Sequence, residues 1–167
     1  EKVNSPYELK GYSAGGYLIS AKTQNSRAWS VVDLPLSDTE IRVKTEKISG
    51  PEDTNFGIIC RFRNEDNFYS FLISSDGYYG IMKVENGVEA LLGSDQFTYS
   101  EQINIGSALN QIEAICSGNE LSLSVNGQML QTVKDTSFST SKVGMIVETR
   151  AEGDAAIVFS DFSVIKR

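Results

Sequence analysis

Histidine is absent from this 167-residue chain, and with it go the commonest general base and the commonest transition-metal ligand. Ser-His-Asp and Cys-His catalysis are excluded outright. Proline is scarce at 3 residues, and there are only 2 cysteines and 1 tryptophan. No run approaches the roughly 18 apolar residues of a spanning helix, so membrane insertion by this chain is not expected. No basic-then-apolar leader opens the sequence, so a secreted protein of this kind is expected to be represented by its mature part or an excised domain. Positive charge is also in short supply: 15 Lys and Arg stand against 22 Asp and Glu, a net charge of −7. Nucleic acid and anionic membrane, both bound through clustered Lys and Arg, are not expected as main partners.

What is present is ordinary for a globular protein, with 40% hydrophobic and 22% charged residues, so disorder is not expected. A chain this long buries about 70% of its unfolded surface. No composition shift, proline-rich linker or internal repeat divides it, and one domain is expected over residues 1–167. Turn signals recur at Ser49-Gly50-Pro51, residues 64–67, Asp76-Gly77, Asn86-Gly87, Gly118-Asn119, Asn126-Gly127 and Glu152-Gly153. Asn-Gly and Asp-Gly pairs tolerate the positive φ angles of tight hairpins.

Between the turns the pattern alternates with a period of two. Phe56, Ile58, Cys60 and Phe62 share one strand face, leaving Gly57, Ile59, Arg61 and Arg63 on the other. Tyr69, Phe71 and Ile73 form a second apolar set, then Ile112, Ala114 and Cys116, then Leu121, Leu123 and Val125. Residues 78–84, 143–149 and 156–164 read as further strands, and residues 17–19, 29–32 and 41–45 as the opening ones. Residues 102–109 read as an extended crossing or a short helical turn. About ten strands without intervening helices predict an all-β fold, an antiparallel two-sheet β-sandwich.

Cys60 and Cys116 both fall on apolar strand faces. They can be two reduced core thiols packing as small hydrophobes or one disulfide stapling distant strands. Their even number, inward orientation and acidic all-β setting weigh toward the disulfide. With no further soft ligand, a cysteine metal site is not expected.

The segments Phe56-Gly57-Ile58-Ile59-Cys60-Arg61-Phe62, Asp66-Asn67-Phe68-Tyr69-Ser70-Phe71 and Asp76-Gly77-Tyr78-Tyr79-Gly80-Ile81 form one characteristic set. Asn110-Gln111-Ile112-Glu113-Ala114-Ile115-Cys116, followed by Leu121-Ser122-Leu123 and Val125-Asn126-Gly127, forms another. Together they resemble the concanavalin A-like/laminin G-like jelly-roll modules of bacterial extracytoplasmic proteins, related to the domain family named for 3-keto-disaccharide hydrolases. The resemblance covers residues 12–164. It implies a jelly roll of the lectin/glucanase type, a Cys60–Cys116 disulfide, and a secreted or cell-surface location. It does not imply an activity, because this fold hosts lectins, glucanases and spacers alike.

Sandwich glucanases that retain configuration need two carboxylates about 5 Å apart. No Glu-x-Asp-x-x-Glu strand is present, and Glu46, Glu85 and Glu113 read as solvated strand residues. No cofactor is implied. Structural calcium has candidate oxygen ligands in Asp161, Glu152, Asp154 and the Glu52-Asp53 pair, without the spacing of a calcium loop. Sugar sites pair an aromatic ring with polar groups that bond hydroxyls. The candidates for such a patch are Tyr69, Tyr78 and Tyr79 with a polar face bearing Arg61 and Glu113, whereas Trp29 reads as a core residue. The expectation is a non-catalytic binding or adhesion module for a glycan or cell-wall polysaccharide. The rivals are a structural or protein-interaction module and a glycoside hydrolase-like enzyme.

Overall fold

In the computed structural model, which describes residues 2–139 and 141–167, every regular element is a strand. The first five are β1 (Val3–Asn4), β2 (Glu8–Ser13), β3 (Gly16–Ala21), β4 (Arg27–Leu36) and β5 (Thr39–Ser49). The middle five are β6 (Asn55–Asn64), β7 (Asn67–Ser74), β8 (Tyr78–Glu85), β9 (Val88–Leu91) and β10 (Thr98–Tyr99). The last are β11 (Asn110–Ser117), β12 (Glu120–Val125), β13 (Gln128–Lys134), β14 (Ser141–Glu148) and β15 (Ala155–Lys166). All pair antiparallel in two sheets. One runs β1-β2-β3-β15-β5-β11-β12-β13; the other runs β10-β8-β7-β6-β14-β4, with β9 also on β8. Asn86 and Asn126 adopt φ of 53° and 51° at their hairpins, and the following Gly87 and Gly127 are also positive, as two-residue turns require.

The sheets pack face to face over one core. From the eight-stranded sheet come Ile19, Ile41, Ile112, Leu121, Leu123 and Ile157; from the seven-stranded sheet come Ile58, Tyr69, Phe71 and Ile81. A disulfide joins Cys60 on β6 to Cys116 on β11, one sheet to the other, with both residues fully buried. Residues 102–109 form turns without a helix, pinned by buried Ile103. Strands β2 and β13 escaped the alternation test because their residues are mostly half-buried or exposed, so no apolar stripe marks them.

Strand β6 departs from simple alternation. Its register with β7 shifts between Cys60 and Asn64, and Arg61 sits at φ 52°. A bulge adds a residue and turns the rest of the strand to the opposite face. Phe62 therefore leaves the face of Phe56, Ile58 and Cys60 and joins Ile59, Phe68, Leu72 and Ile146 in a second apolar cluster on the outer face of the seven-stranded sheet. Leu91 and Phe97, flanking the chain between β9 and β10, pack on this cluster. A Cβ added to Gly80 would meet both, at 2.8 and 3.3 Å. That glycine lets the segment lie down on the sheet.

Candidate functional site

Cross-strand register aligns polar side chains along one end of the seven-stranded sheet's outer face. Arg27 on β4 is opposite Glu148 on β14, which is opposite Asn55 on β6, which is opposite Ser74 on β7. One row further in, Trp29 is opposite Ile146, and Ile146 opposite Gly57. Polar row and apolar floor thus follow from a strand period of two in register across four strands.

Above this floor lies a cleft of about 500 Å³, walled by Trp29, Arg27, Glu148 and Arg150 on one side and by Glu65, Asp66 and Glu89 on the other. Its size is that of a small-ligand site. Trp29 is partly buried, its ring 5.9 Å from that of Phe62. The tryptophan expected in the core is instead on the outer face, with part of its surface in the cleft. Ser26 and Thr149 close one end through a hydroxyl knot in which Thr149 Oγ1 donates to the Thr23 carbonyl at 2.6 Å.

The charges in the cleft divide into bound and open groups. Glu148 is buried, and its Oε1 lies 3.2 Å from Arg27 Nε, in ion-pair contact without hydrogen-bond alignment. Burial pushes the Glu148 carboxyl up from the usual carboxylate range, opposed by Arg27 and Arg150. The Asn55 amide oxygen, turned toward Arg150, accepts from Nη2 at 2.8 Å, and the Arg150 guanidinium also lies 5.4 Å above the Phe97 ring. Arg27 pairs in addition with Glu89. Glu65 and Asp66, on the exposed β6–β7 hairpin, make no ion pair among the described residues. They are the open acceptors of the cleft.

The structure does not gather the five residues expected to form a sugar patch. Arg61 is buried; its Nη1 donates to the Phe138 carbonyl at 2.9 Å and its Nη2 to the Gly118 carbonyl at 2.9 Å, which fastens two loops. Glu113 lies on the other sheet, 2.6 Å from Arg42 Nε, so it neither faces nor pairs with Arg61. Alternation alone could not tell which sheet each strand joins. Tyr69 is fully buried between the sheets, its hydroxyl donating to Asp135 Oδ1 at 2.5 Å. Tyr79 packs on the main core and donates to the Leu130 carbonyl at 3.3 Å. Only Tyr78 is open to solvent, at 41% exposure, with the Tyr99 ring edge-on at 5.6 Å.

Of the carboxylates weighed for catalysis, Glu46 and Glu113 lie on the eight-stranded sheet and Glu85 on the other, paired with Lys83 at 3.0 Å. None of the three lines the Trp29 cleft. Asp161, a calcium candidate, pairs with Lys44 at 2.7 Å. Among the described residues no group of three or more His, Cys, Asp or Glu side chains converges on a point that would hold a metal ion. Sequence reasoning missed the Trp29 cleft. The available signal was the row Arg27, Trp29 and Val31, alternating with Ala28 and Ser30 ahead of a Pro-containing strand end.

No family model matches the sequence, and no curated protein matches it. Solved structures do match in shape. The carbohydrate-binding module CBM66 from Bacillus subtilis superposes with a TM-score of 0.78 at 13% identity, covering 96% of this chain and 93% of that one. A functionally unknown protein from Saccharomyces cerevisiae gives 0.72 at 13% identity over 99% and 95%. Sheep galectin-11, solved with glycerol, gives 0.60 at 14% identity over 81% and 96%. Together with the two antiparallel sheets, these show a jelly-roll β-sandwich, the fold expected of a concanavalin A-like module. Identities this low speak to fold alone.

Proposed function

We propose that this chain is a non-catalytic glycan-binding module acting outside the cytoplasm, and that its sugar sits in the Trp29 cleft. One observation carries the reading: the only tryptophan flanks a cleft that also holds two carboxylates, Glu65 and Asp66, without a cationic partner among the described residues. An indole face offers the apolar side of a sugar ring a surface to stack on, and a carboxylate accepts from two adjacent hydroxyls. The carbohydrate-binding module and the galectin among the structural neighbours support the ligand class. The buried disulfide supports an oxidising location, since such bonds persist outside the cytosol.

The test is a glycan array with calcium and chelator arms, followed by titration of the hits while exciting Trp29. Because Trp29 is the sole tryptophan, its emission reports occupancy of the cleft directly. Saturable change is expected for the bound glycans, and the surface pair Glu65→Gln/Asp66→Asn is expected to weaken it about tenfold, the loss of a charge-assisted hydrogen bond. Binding in neither arm would sink the reading, as would binding that leaves the emission and the pair of variants unaffected.

A further inference from the structure

The Trp29 cleft does not end at Arg150. That side chain also lines a second, shallower hollow of about 220 Å³, whose other walls are Asp53, Asn55, Ser74, Asp76, Tyr78 and Phe97. The same polar row lines both: Arg27 and Glu148 line the first hollow, and Asn55 and Ser74 the second. Ser74 Oγ continues the row onto β8 by accepting from the Tyr78 amide at 3.2 Å. Counted along the sheet, the path from β4 to β8 crosses four interstrand spacings, about 19 Å. The sheet is curled, so the ligand's span is shorter than this path, but two hollows of about 500 and 220 Å³ together hold more than one sugar ring.

The far end of this path carries its own stacking surface. Tyr78 and Tyr99 are 41% and 55% exposed and meet edge to face, so each ring holds the other upright while a face of the pair remains open. Tyr99 in turn packs against Gly77, whose φ of 95° turns the hairpin, and an added Cβ there would come within 2.8 Å of the Tyr99 ring. The pair is therefore positioned by backbone geometry. Charge selects further. The two hollows are lined by six carboxylates (Glu65, Asp66, Glu89, Glu148, Asp53, Asp76) and two guanidiniums, Arg27 and Arg150. Both guanidiniums are engaged, by Glu148 and Glu89 and by Asn55. An anionic glycan would meet net like charge.

We infer that the two hollows are subsites of one groove joined at Arg150, and that it binds a neutral, linear oligosaccharide longer than a disaccharide, with a distal unit stacked on Tyr78 and Tyr99. This rests on the Trp29 cleft being the sugar site. The test titrates neutral xylo-, cello- and fructo-oligosaccharide ladders, from monosaccharide to hexasaccharide, with an oligogalacturonide ladder as the anionic arm, reading Trp29 emission and binding heat. In the native chain, affinity for at least one neutral ladder is expected to rise about tenfold between the disaccharide and the longer members. In the Tyr78→Ala/Tyr99→Ala variant that gain is expected to vanish while disaccharide affinity stays unchanged. A neutral ladder that quenches Trp29 with affinity independent of length, or a variant that weakens every length equally, overturns the two-subsite groove and leaves the Trp29 site standing. Oligogalacturonides binding as tightly as neutral chains overturn the selection for neutral ligands. If no ladder changes the emission or gives heat, the Trp29 site and the groove fall together.

Discussion

Arg27, on the edge strand β4, forms an ion pair with Glu89 on β9, at the opposite edge of the same sheet. Five interstrand spacings separate these strands, about 24 Å were the sheet flat. Contact between them means that the sheet curls, so that its outer face becomes a trough and Arg27 spans it, 5.8 Å above the Phe68 ring. Curling explains two observations at once. Together with Leu91 and Phe97, which lie on this face, it buries Ile59, Phe68 and Leu72, and it gives the Trp29 cleft two walls.

The two carboxylates that hold Arg27 should differ sharply in weight. Glu89 is 47% exposed and Glu148 only 7%. Glu89→Gln is expected to cost about 0–1 kcal/mol, as for a solvent-screened pair. Glu148→Ala removes the buried carboxylate beside Arg27 and leaves a small void, and is expected to cost more, about 1–3 kcal/mol. Urea unfolding midpoints compare the two directly, and equal losses would contradict this account of the trough.

A second network sets the pH limits of stability. Burial pushes the Tyr69 hydroxyl up to about 12, helped by its bond to Asp135. Burial would also raise Asp135, but hydrogen bonds from Tyr69, Ser137 and Lys83 outweigh it and hold the carboxyl at about 2. The folded chain thus releases the Asp135 proton more readily than the unfolded chain, whose value is near 3.8. This contribution is complete above about pH 4 and lost as pH falls toward 2, amounting to about 2 kcal/mol. At the alkaline end the folded chain retains a Tyr69 proton that the unfolded chain surrenders near 10, so stability falls as pH rises from about 10 to 12. Asp135→Asn is expected to flatten the acid limb and Tyr69→Phe the alkaline limb, in chemical denaturation repeated across pH. Unchanged limbs in both variants would remove this network from the pH profile.

The Cys60–Cys116 link closes a separation of 56 residues, and replacing both cysteines with alanine is expected to cost about 4 kcal/mol in the chain-entropy account. Both sulfurs are buried, so alkylation should label neither thiol until the protein is reduced and unfolded. Intact mass with and without reductant checks this, and two labels without reductant would disprove the bridge.

The residues that pack the interior were legible because burial imposes a period of two. The inward sets Phe56-Ile58-Cys60, Tyr69-Phe71-Ile73 and Ile112-Ala114-Cys116 all lie where alternation places them. Phe62 was misread because one bulge reverses the pattern, and a left-handed Arg61 has no sequence signature comparable to an Asn-Gly turn. Tyr69 was misread because alternation gives a tyrosine a face without saying whether its hydroxyl finds water or a buried carboxylate.

What the sequence by itself determined was the class: antiparallel strands, two sheets, an inward cysteine on each of two strands, and no histidine chemistry. Those are local properties, set by side-chain period and turn residues within a few positions of one another. The tertiary structure alone decided that Arg61 and Glu113 lie on different sheets and that Trp29 lies in a cleft. It alone decided that residues as distant as Arg27, Glu89 and Glu148 share a trough. Strand order and sheet curvature arise from pairing between segments far apart in the chain, and no window of sequence contains them.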